Sequence, residues 1–223
     1  MARLIPNVNK SPLEYLKNPS CKHFYLFPVT PVETENEITN LKSEKTTGLY
    51  SIPVNILKIP KSVISAPLAN LFNTSLSTGI VPSKFKVANA IPIHKKGSHT
   101  DLCNYRPISL LSTFNKLLEK IVSGRLLKFL EKEKMLFPGQ FGFRSNHFTD
   151  FAILSIIDKV QQAIDQGDLS CGIFLDFSKA FDSVDRVILI EKLAFYGLRG
   201  IAKDWFTSYL TNRQQFVTVI GIV

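Results

Sequence analysis

Apolar residues recur at spacings of three and four across residues 113–134, and this periodicity constrains the fold of the chain more than any other feature. One face of the segment consists of Phe114, Leu117, Leu118, Ile121, Val122, Leu126, Phe129 and Leu130. Lysine, glutamate and serine residues occupy the opposite face. Such a segment forms an amphipathic helix that must bury its apolar side against other elements. The Pro138-Gly139 pair that follows predicts the end of this helix.

Shorter patterns predict further helices and three isolated strands. Helices are predicted at 62–76, 149–166, 186–196 and 200–211, with Gly79 and Gly167 ending the first two. Strands are predicted at 85–93, 170–177 and 214–222, with a polar loop at 94–104. Helices mixed with a few strands are typical of an α+β fold, in which helices pack on a small sheet.

The distribution of charge points to a polyanionic partner. The 223 residues are 45% hydrophobic and 20% charged, which is typical of a globular protein. The formal net charge is +9, and the excess lies entirely in residues 1–150, which contain 20 Lys and Arg against 10 Asp and Glu. Between Glu44 and Asp101 there is no acidic residue. This asymmetry predicts binding to nucleic acid or to an acidic membrane surface.

Several classes of protein do not fit the sequence. Cys21, Cys103 and Cys171 match neither zinc-ligand nor redox spacing, and an odd number of cysteines without pairs fits a reducing compartment. Neither a secretory signal nor an apolar run long enough to span a bilayer is visible. Prolines interrupt the basic stretch 45–100, which disfavours an amphipathic helix on a membrane surface. Nucleic acid is therefore the favoured polyanion.

The chain divides by composition into a lead-in and one domain. Residues 1–46 are polar and punctuated by Pro6, Pro12, Pro19, Pro28 and Pro31. They are predicted to form a linker with one acidic helical patch from Glu33 to Lys42. The domain is predicted to span residues 47–223.

One acidic residue stands where a metal ligand would be well placed. Asp176 follows a predicted apolar strand in the sequence FLDFSKAFD at 174–182. A carboxylate held on a rigid strand suits a hard cation such as Mg²⁺. Asp182 and Asp185 follow six and nine residues later. The spacing alone also fits a turn residue at a strand end or a helix N-cap.

Two further segments carry basic or aromatic side chains suited to nucleic acid. Lys95, Lys96 and Arg106 flank the polar loop, where lysine and arginine can bind phosphate; an ordinary solvated loop fits the same pattern. In QFGFRSNHFTD at 140–150, Arg144 lies among aromatic residues that could stack on a nucleic-acid strand. Burial of Phe141 and Phe143 in a core is the alternative for that segment.

The order of these segments resembles a known family. NYRPISLL (104–111), a helix, QFGFR (140–144), FLDFSKAFDSV (174–184), KLAFYGLRG (192–200) and SYLTNRQQFV (208–217) follow one another along the chain. From about residue 37 onward, this order resembles the reverse transcriptase of non-LTR (LINE-type, jockey-like) retrotransposons. The resemblance implies a right-hand polymerase with fingers and part of the palm, in which helices pack on a small incomplete antiparallel sheet. It also implies RNA-directed DNA synthesis, with RNA template, DNA primer or target and deoxynucleoside triphosphates as partners, in the nucleus and cytoplasm.

The resemblance gives Asp176 the role of the first catalytic aspartate of the palm. In the family this residue binds both Mg²⁺ ions, and the backbone of Phe177 is expected near them. The family also requires an aromatic-x-Asp-Asp segment, and no Asp-Asp pair exists among the 223 residues. One carboxylate is a poor substitute for a site that positions two cations about 4 Å apart. We therefore expect that this chain, a truncated polymerase, does not polymerise by itself.

The remaining family roles concern the nucleotide and the template. Phe181 matches the aromatic gate that crowds the 2′ position of an incoming ribonucleotide. Arg106, and more loosely Lys95 or Lys96, match the finger residues that clamp the triphosphate. Arg144 lies in the segment that resembles the template-contacting part of the fingers.

The sequence departs from the family pattern in several places. Tyr50 stands in GLYSIP, where the family usually has an acid, and Phe148 precedes Thr149, where serine is usual. The Pro-Gln-Gly segment that cradles template and nucleotide is also absent from these residues. Two alternatives therefore remain: a catalytically dead RNA- or DNA-binding module, and a protein-interaction or unrelated globular domain. An exposed, aggregation-prone apolar edge is predicted at 214–222.

Overall fold

A computed structural model of the chain describes residues 14, 16, 19–42, 52–177 and 180–217. The elements in these ranges are α1 Pro31–Thr39, α2 Val54–Lys58, α3 Lys61–Thr78, β1 Val87–His94, β2 Tyr105–Leu110, α4 Thr113–Lys132, α5 Thr149–Asp165, α6 Arg186–Phe195, α7 Ile201–Leu210 and β3 Gln214–Phe216. The predicted α+β class is confirmed. Five of the predicted helices and the strand predicted at 85–93 appear within a few residues of their expected bounds, whereas β2 was not predicted as a strand.

The chain forms two compact units. The first contains residues 1–129 and 186–223, and the second contains residues 130–185. The boundary falls near the C-terminal end of α4. Within the described residues, no helix has the combination of length and apolar character that a membrane span requires.

The core of the first unit is built by α3, α4 and α7. Phe72 of α3, Leu117 and Leu118 of α4 and Trp205 of α7 are at most 1% exposed. The Trp205 indole Nε1 donates to the Ser75 hydroxyl at 3.0 Å, so the buried ring also satisfies its polar group. The apolar face predicted for 113–134 is therefore confirmed as the face of α4 that enters the core.

The segment before α1 belongs to the same core. Phe24 and Val29 are 6% and 2% exposed, and Ile38 of α1 is fully buried. The backbone N–H of Phe24 donates to the carbonyl of Gly197 at 3.0 Å. Residues 19–42, the continuous described stretch of the predicted lead-in, thus belong to the core of the first unit. The proposed domain boundary at 46/47 lies outside the described residues.

A three-stranded sheet in the order β2-β1-β3 completes the first unit. β1 and β2 form an antiparallel hairpin in which Ile93 faces Arg106 and His94 faces Tyr105. β3 runs parallel to β1, with Val87 opposite Gln214, so the sheet is mixed and the expected antiparallel arrangement holds for the hairpin alone. β3 pairs with β1 on one side and is exposed at the edge of the sheet, where an exposed edge was predicted for 214–222. Residues 218–223 of that prediction lie outside the described residues.

Helix ends follow backbone capping rules, with one correction. Gly79 and Gly167 have positive φ and end α3 and α5 as predicted. α4 ends at Lys132, before the predicted Pro138-Gly139 stop. Lys134 adopts φ +53°, and the N–H of Met135 donates to the carbonyl of Leu130 at 2.9 Å. This Schellman arrangement satisfies the last carbonyls without a glycine.

The second unit buries none of its described residues. It contains the C-terminal end of α4, a loop, α5 and the segment that leads to α6. Apolar side chains of α5 are exposed, among them Ile153, Leu154, Ile157 and Ile164 at 52% to 60%. All described buried side chains therefore lie in the first unit.

The strand predicted at 170–177 is wrong for this structure. The segment is neither helix nor strand, and Phe174 and Leu175 are each 85% exposed. A strand requires a neighbour whose N–H and C=O groups pair with its own. No described segment provides that neighbour, since the sheet contains only β1, β2 and β3. The apolar sequence of 170–177 was therefore not sufficient evidence for a strand.

Candidate active site

The first unit brings three of the predicted site residues together at the end of the hairpin. Lys95 and Lys96 follow β1 directly, and Arg106 is the second residue of β2. The Lys95 N–H donates to the carbonyl of Asn104 at 2.8 Å, which extends the hairpin pairing by one residue. Because side chains alternate along a strand and cross-strand partners share a face, Lys95 and Arg106 lie on one face. All three side chains are exposed, so their charges are available to a ligand.

The loop that carries the lysines is held by its own contacts. The rings of His94 and His99 stack with centroids 3.9 Å apart, and the Tyr105 hydroxyl donates to the carbonyl of His99 at 2.9 Å. Asn104 Nδ2 donates to the carbonyl of Ser98 at 2.9 Å. The two lysines therefore project from an organised turn, which lowers the entropic cost of positioning them on a phosphate.

The second unit contains Asp176, Phe177 and Phe181. The Asp176 carboxylate is exposed, and it lies on an irregular segment instead of the predicted strand end. Phe177 and Phe181 are 77% and 79% exposed. The Phe181 ring meets the Phe143 ring edge-on, with centroids 5.9 Å apart. Phe143 itself is 88% exposed, so its burial in a core, one of the alternatives for this segment, is wrong.

Arg144 is placed differently from Phe143. It is half-buried, and its Nη1 donates to the carbonyl of Phe137 at 3.3 Å. Its Nε is buried and has no hydrogen-bond partner in the part of the chain that the structure describes. The side chain lines a groove of about 300 Å³ together with Glu131, Lys134, Leu136, Pro138 and His147. The guanidinium is thus oriented by the loop that precedes α5.

The described residues do not assemble a complete two-metal site. Among them, no group of three His, Cys, Asp or Glu side chains is close enough to hold a metal ion. Asp176 offers the hard oxygen donor that Mg²⁺ prefers, so it fits as one ligand. A pair of ions needs several carboxylates, and among the described residues Asp176 belongs to no group of three ligating side chains.

A polar cluster that the sequence reasoning missed joins α4 to the start of β3. Glu119 Oε1 accepts hydrogen bonds from the Tyr209 hydroxyl and from Asn115 Nδ2. Arg213 lies 3.9 Å from the same carboxylate and 4.7 Å above the Tyr209 ring. Burial raises the pKa of Tyr209 above its ordinary range, and the Glu119 charge and hydrogen bond act in the same direction, while Arg213 opposes them.

This cluster positions the strand that borders the hairpin. Arg213 directly precedes β3, and β3 pairs with the first residues of β1. Tyr209 lies in the last turn of α7, and Arg213 follows the end of that helix, with its Nη1 donating to the Tyr209 carbonyl at 3.3 Å. Glu119 is distant in sequence and gave no indication of its partners.

Comparison with known proteins places this chain in a family. Residues 93–221 match the family described as reverse transcriptase (RNA-dependent DNA polymerase). The chain is 33% identical over 180 residues to the RNA-directed DNA polymerase from mobile element jockey of Drosophila melanogaster, covering 80% of this chain and 20% of that protein. It is 30% identical over 202 residues to the probable RNA-directed DNA polymerase from transposon BS of the same species, covering 86% of this chain and 22% of that protein.

The chain belongs to the reverse transcriptase family. Its resemblance to jockey-like non-LTR retrotransposon polymerases is confirmed by these relatives. The chain spans about a fifth of the length of the curated relatives it matches. The matched region contains the hairpin basic residues from Lys95 onward, Arg144 and Asp176. Reverse transcriptases as a family act on nucleic acid and nucleotides with the help of divalent metal.

Proposed function

We propose that this chain is the part of a retrotransposon RNA-directed DNA polymerase that holds the template and the incoming nucleotide. The observation that carries the proposal is the family match across residues 93–221, which contains Lys95, Lys96, Arg106 and Asp176. The names of the relatives from jockey and transposon BS support the same activity.

The hairpin is assigned to the triphosphate. Lys95, Lys96 and Arg106 place three exposed positive charges at one end of β1 and β2. Arginine binds phosphate oxygens through a planar fork, whereas lysine acts as a point charge. Together they would bind the polyanionic nucleotide and fix its orientation.

The second unit is assigned to the metal, the sugar and the template. Asp176 would supply one carboxylate ligand to Mg²⁺, with the Phe177 backbone beside it. Bound Mg²⁺ stabilises the charge that develops on transferring phosphates. Phe181, exposed and in edge contact with Phe143, would crowd the 2′ position of a ribonucleotide. Arg144 would contact the template.

The proposal also holds that the 223-residue chain does not polymerise by itself. The support is the single carboxylate at Asp176 and the absence of an Asp-Asp pair from these residues. Primer extension on a poly(rA) template with an oligo(dT) primer and Mg²⁺ is expected to show no incorporation. Incorporation that Asp176→Ala abolishes would contradict inactivity, because it would demonstrate a working site.

Binding measurements test the assignment of the hairpin. The triple variant Lys95→Gln/Lys96→Gln/Arg106→Gln is expected to bind template–primer more weakly when deoxynucleoside triphosphate is present. It should also reduce the slope of log affinity against log salt by about 2 to 3. The charge-matched control is Lys42→Gln/Lys84→Gln/Lys128→Gln, which removes three exposed lysines elsewhere on the first unit. Equal losses in the two triple variants would show that only net charge matters, and would overturn the assignment.

A further inference from the structure

Three rings project from one side of the segment that precedes α1. His23, Tyr25 and Phe27 are exposed, Tyr25 and Phe27 by 60% and 64%, while Phe24 between them is buried. The ring centroids of His23 and Tyr25 are 6.2 Å apart, and those of Tyr25 and Phe27 are 6.1 Å apart. This two-residue alternation is that of an extended backbone. The result is a continuous row of three exposed rings, which we call the ring row.

The backbone under the ring row is fixed at both ends. At the first end, Arg199 Nη2 donates to the Ser20 carbonyl at 2.6 Å, and the Phe24 N–H donates to the Gly197 carbonyl at 3.0 Å. At the other end, the Val29 N–H donates to Asn73 Oδ1 at 2.6 Å, and Asn73 Nδ2 donates to the Val29 carbonyl at 2.9 Å. The rings are therefore presented by a backbone that needs little ordering on binding.

Cationic side chains lie at the His23 end of the ring row. Arg199 Nη1 is 3.5 Å from His23 Nε2, and Lys22, the residue before His23, is exposed. At the other end Arg125 donates to the carbonyl of Phe27, and its charge is balanced by Glu33 at 2.7 Å. The positive charge at the His23 end thus complements a polyanion.

Exposed flat rings with cations at one end fit nucleic-acid bases better than a peptide strand. The carbonyls of Ser20, Phe27, Pro28 and Val29 already accept hydrogen bonds from side chains. An added peptide strand would therefore find the carbonyls at and beyond the two ends of the row already in use. Bases need no such edge, because they stack on aromatic faces. Neighbouring ring planes are tilted by 36° and 48° to one another, so each ring offers a face of its own.

We propose that His23, Tyr25 and Phe27 form a stacking surface for single-stranded RNA, outside the hairpin and the second unit. Successive bases stack on the rings while Lys22 and Arg199 lie near the phosphates. Stacking requires neither metal nor nucleotide, so the surface goes beyond the proposed function. The choice of RNA over DNA rests on that function, since the relatives are RNA-directed polymerases.

The test compares variants that lose or keep the rings. Tyr25→Leu/Phe27→Leu keeps apolar bulk but removes stacking, and Tyr25→Phe/Phe27→Tyr keeps both rings. The ring-loss variant is expected to bind a labelled 12-nucleotide oligo(rU) at least tenfold more weakly, since each stacked ring contributes roughly fivefold or more. The ring-keeping variant should stay within about twofold of the unaltered chain. Unchanged thermal melting identifies variants that remain folded.

Three results of the binding measurements would overturn the proposal. They are equal affinity in the ring-loss variant, an equal loss with an RNA duplex, and a ring effect with oligo(dT) that is absent with oligo(rU). Photocrosslinking of 5-iodouridine RNA is expected to label residues 23–27, and labelling confined to other segments would also overturn it. The hairpin triple variant should keep this crosslink. If the hairpin triple variant binds template–primer no more weakly than its control while residues 23–27 are crosslinked, only the proposed function is contradicted. If that variant binds more weakly but residues 23–27 are not crosslinked, only the ring-row proposal is contradicted.

Discussion

Gly197 lies at a position that has no room for a side chain. Its φ is +109°, and a Cβ built there would lie 2.3 Å from the Lys22 carbonyl oxygen. The same residue accepts the hydrogen bond from the Phe24 N–H. The close approach allows the segment before α1 to lie against the turn between α6 and α7, and it helps hold the ring row in place.

Substitution of Gly197 by alanine should therefore be costly. Gly197→Ala is expected to lower the free energy of unfolding by about 2–4 kcal/mol, because it adds backbone strain and displaces Lys22 from its contact. Urea denaturation followed by circular dichroism measures the change. Gly124→Ala is the matched control: it lies within α4, nothing surrounds its position within 4 Å, and alanine there should stabilise by up to about 1 kcal/mol. Equal midpoints for both variants would contradict the packing argument.

Tyr209 links stability to high pH. Its ordinary pKa is 10.0, and burial with the Glu119 contact raises it in the folded protein. Above pH 10 the unfolded chain therefore releases this proton while the folded chain keeps it. The unfolded state then binds fewer protons, so the free energy of unfolding must fall as pH rises through that range.

The variant Tyr209→Phe removes both the hydrogen bond and the titration. It is expected to be less stable near neutral pH by about 1–3 kcal/mol, because Glu119 loses a donor in a partly buried site. Between about pH 9 and about pH 11 its stability should decline less than that of the unaltered chain. Denaturation curves recorded at several pH values give both quantities. If the free energy of unfolding falls equally with pH in the variant and in the unaltered chain, Tyr209 has the same pKa in the folded and unfolded states, which would contradict the prediction.

At the scale of elements, local pattern was a reliable guide where local chemistry decides the outcome. The spacing of Leu117, Leu118 and Ile121 was enough to predict α4 and its buried face. Gly167 was enough to predict the end of α5. The strand at 85–93 and the polar loop after it were predicted, whereas its pairing with β2, which places Lys95 and Arg106 on one face, was not.

Elements that depend on distant partners were not predictable in the same way. The prolines before α1 suggested a linker, yet Arg125 and Arg199 hold that segment from about 100 and 180 residues away in sequence. Their contacts leave no local trace, so the ring row was missed. Asp176 was found by its position after an apolar run, but its predicted strand required a neighbour that the described residues lack.

Amide hydrogen exchange should register the absence of pairing at 170–177. Backbone N–H groups without hydrogen-bond partners exchange quickly, whereas those in a packed helix are protected. Exchange in 170–177 is expected to be complete at times when α7 and β1 remain protected. Protection of 170–177 comparable to that of β1 would show that the segment pairs as a strand in solution, and the predicted strand would then hold.

At the scale of the whole molecule, burial divides the chain unevenly. The core side chains Phe24, Leu117 and Trp205 come from both sequence segments of the first unit. In the second unit, no described residue is buried. Cooperative stability, which depends on buried apolar area, should therefore reside in the first unit.

Limited proteolysis tests this division. Chymotrypsin at low concentration is expected to cut first within 166–185, where Phe174, Leu175 and Phe177 are exposed on irregular backbone. The two products should remain associated during gel filtration, because α3 and α4 from one product share a core with α7 from the other. A first cut within α3 or α7, or separation of the products under native conditions, would contradict a core held jointly by the two sequence segments. Because β1 and β3 pair within the first unit, β1 should keep β3 as its neighbour after the chain is cleaved in the second unit.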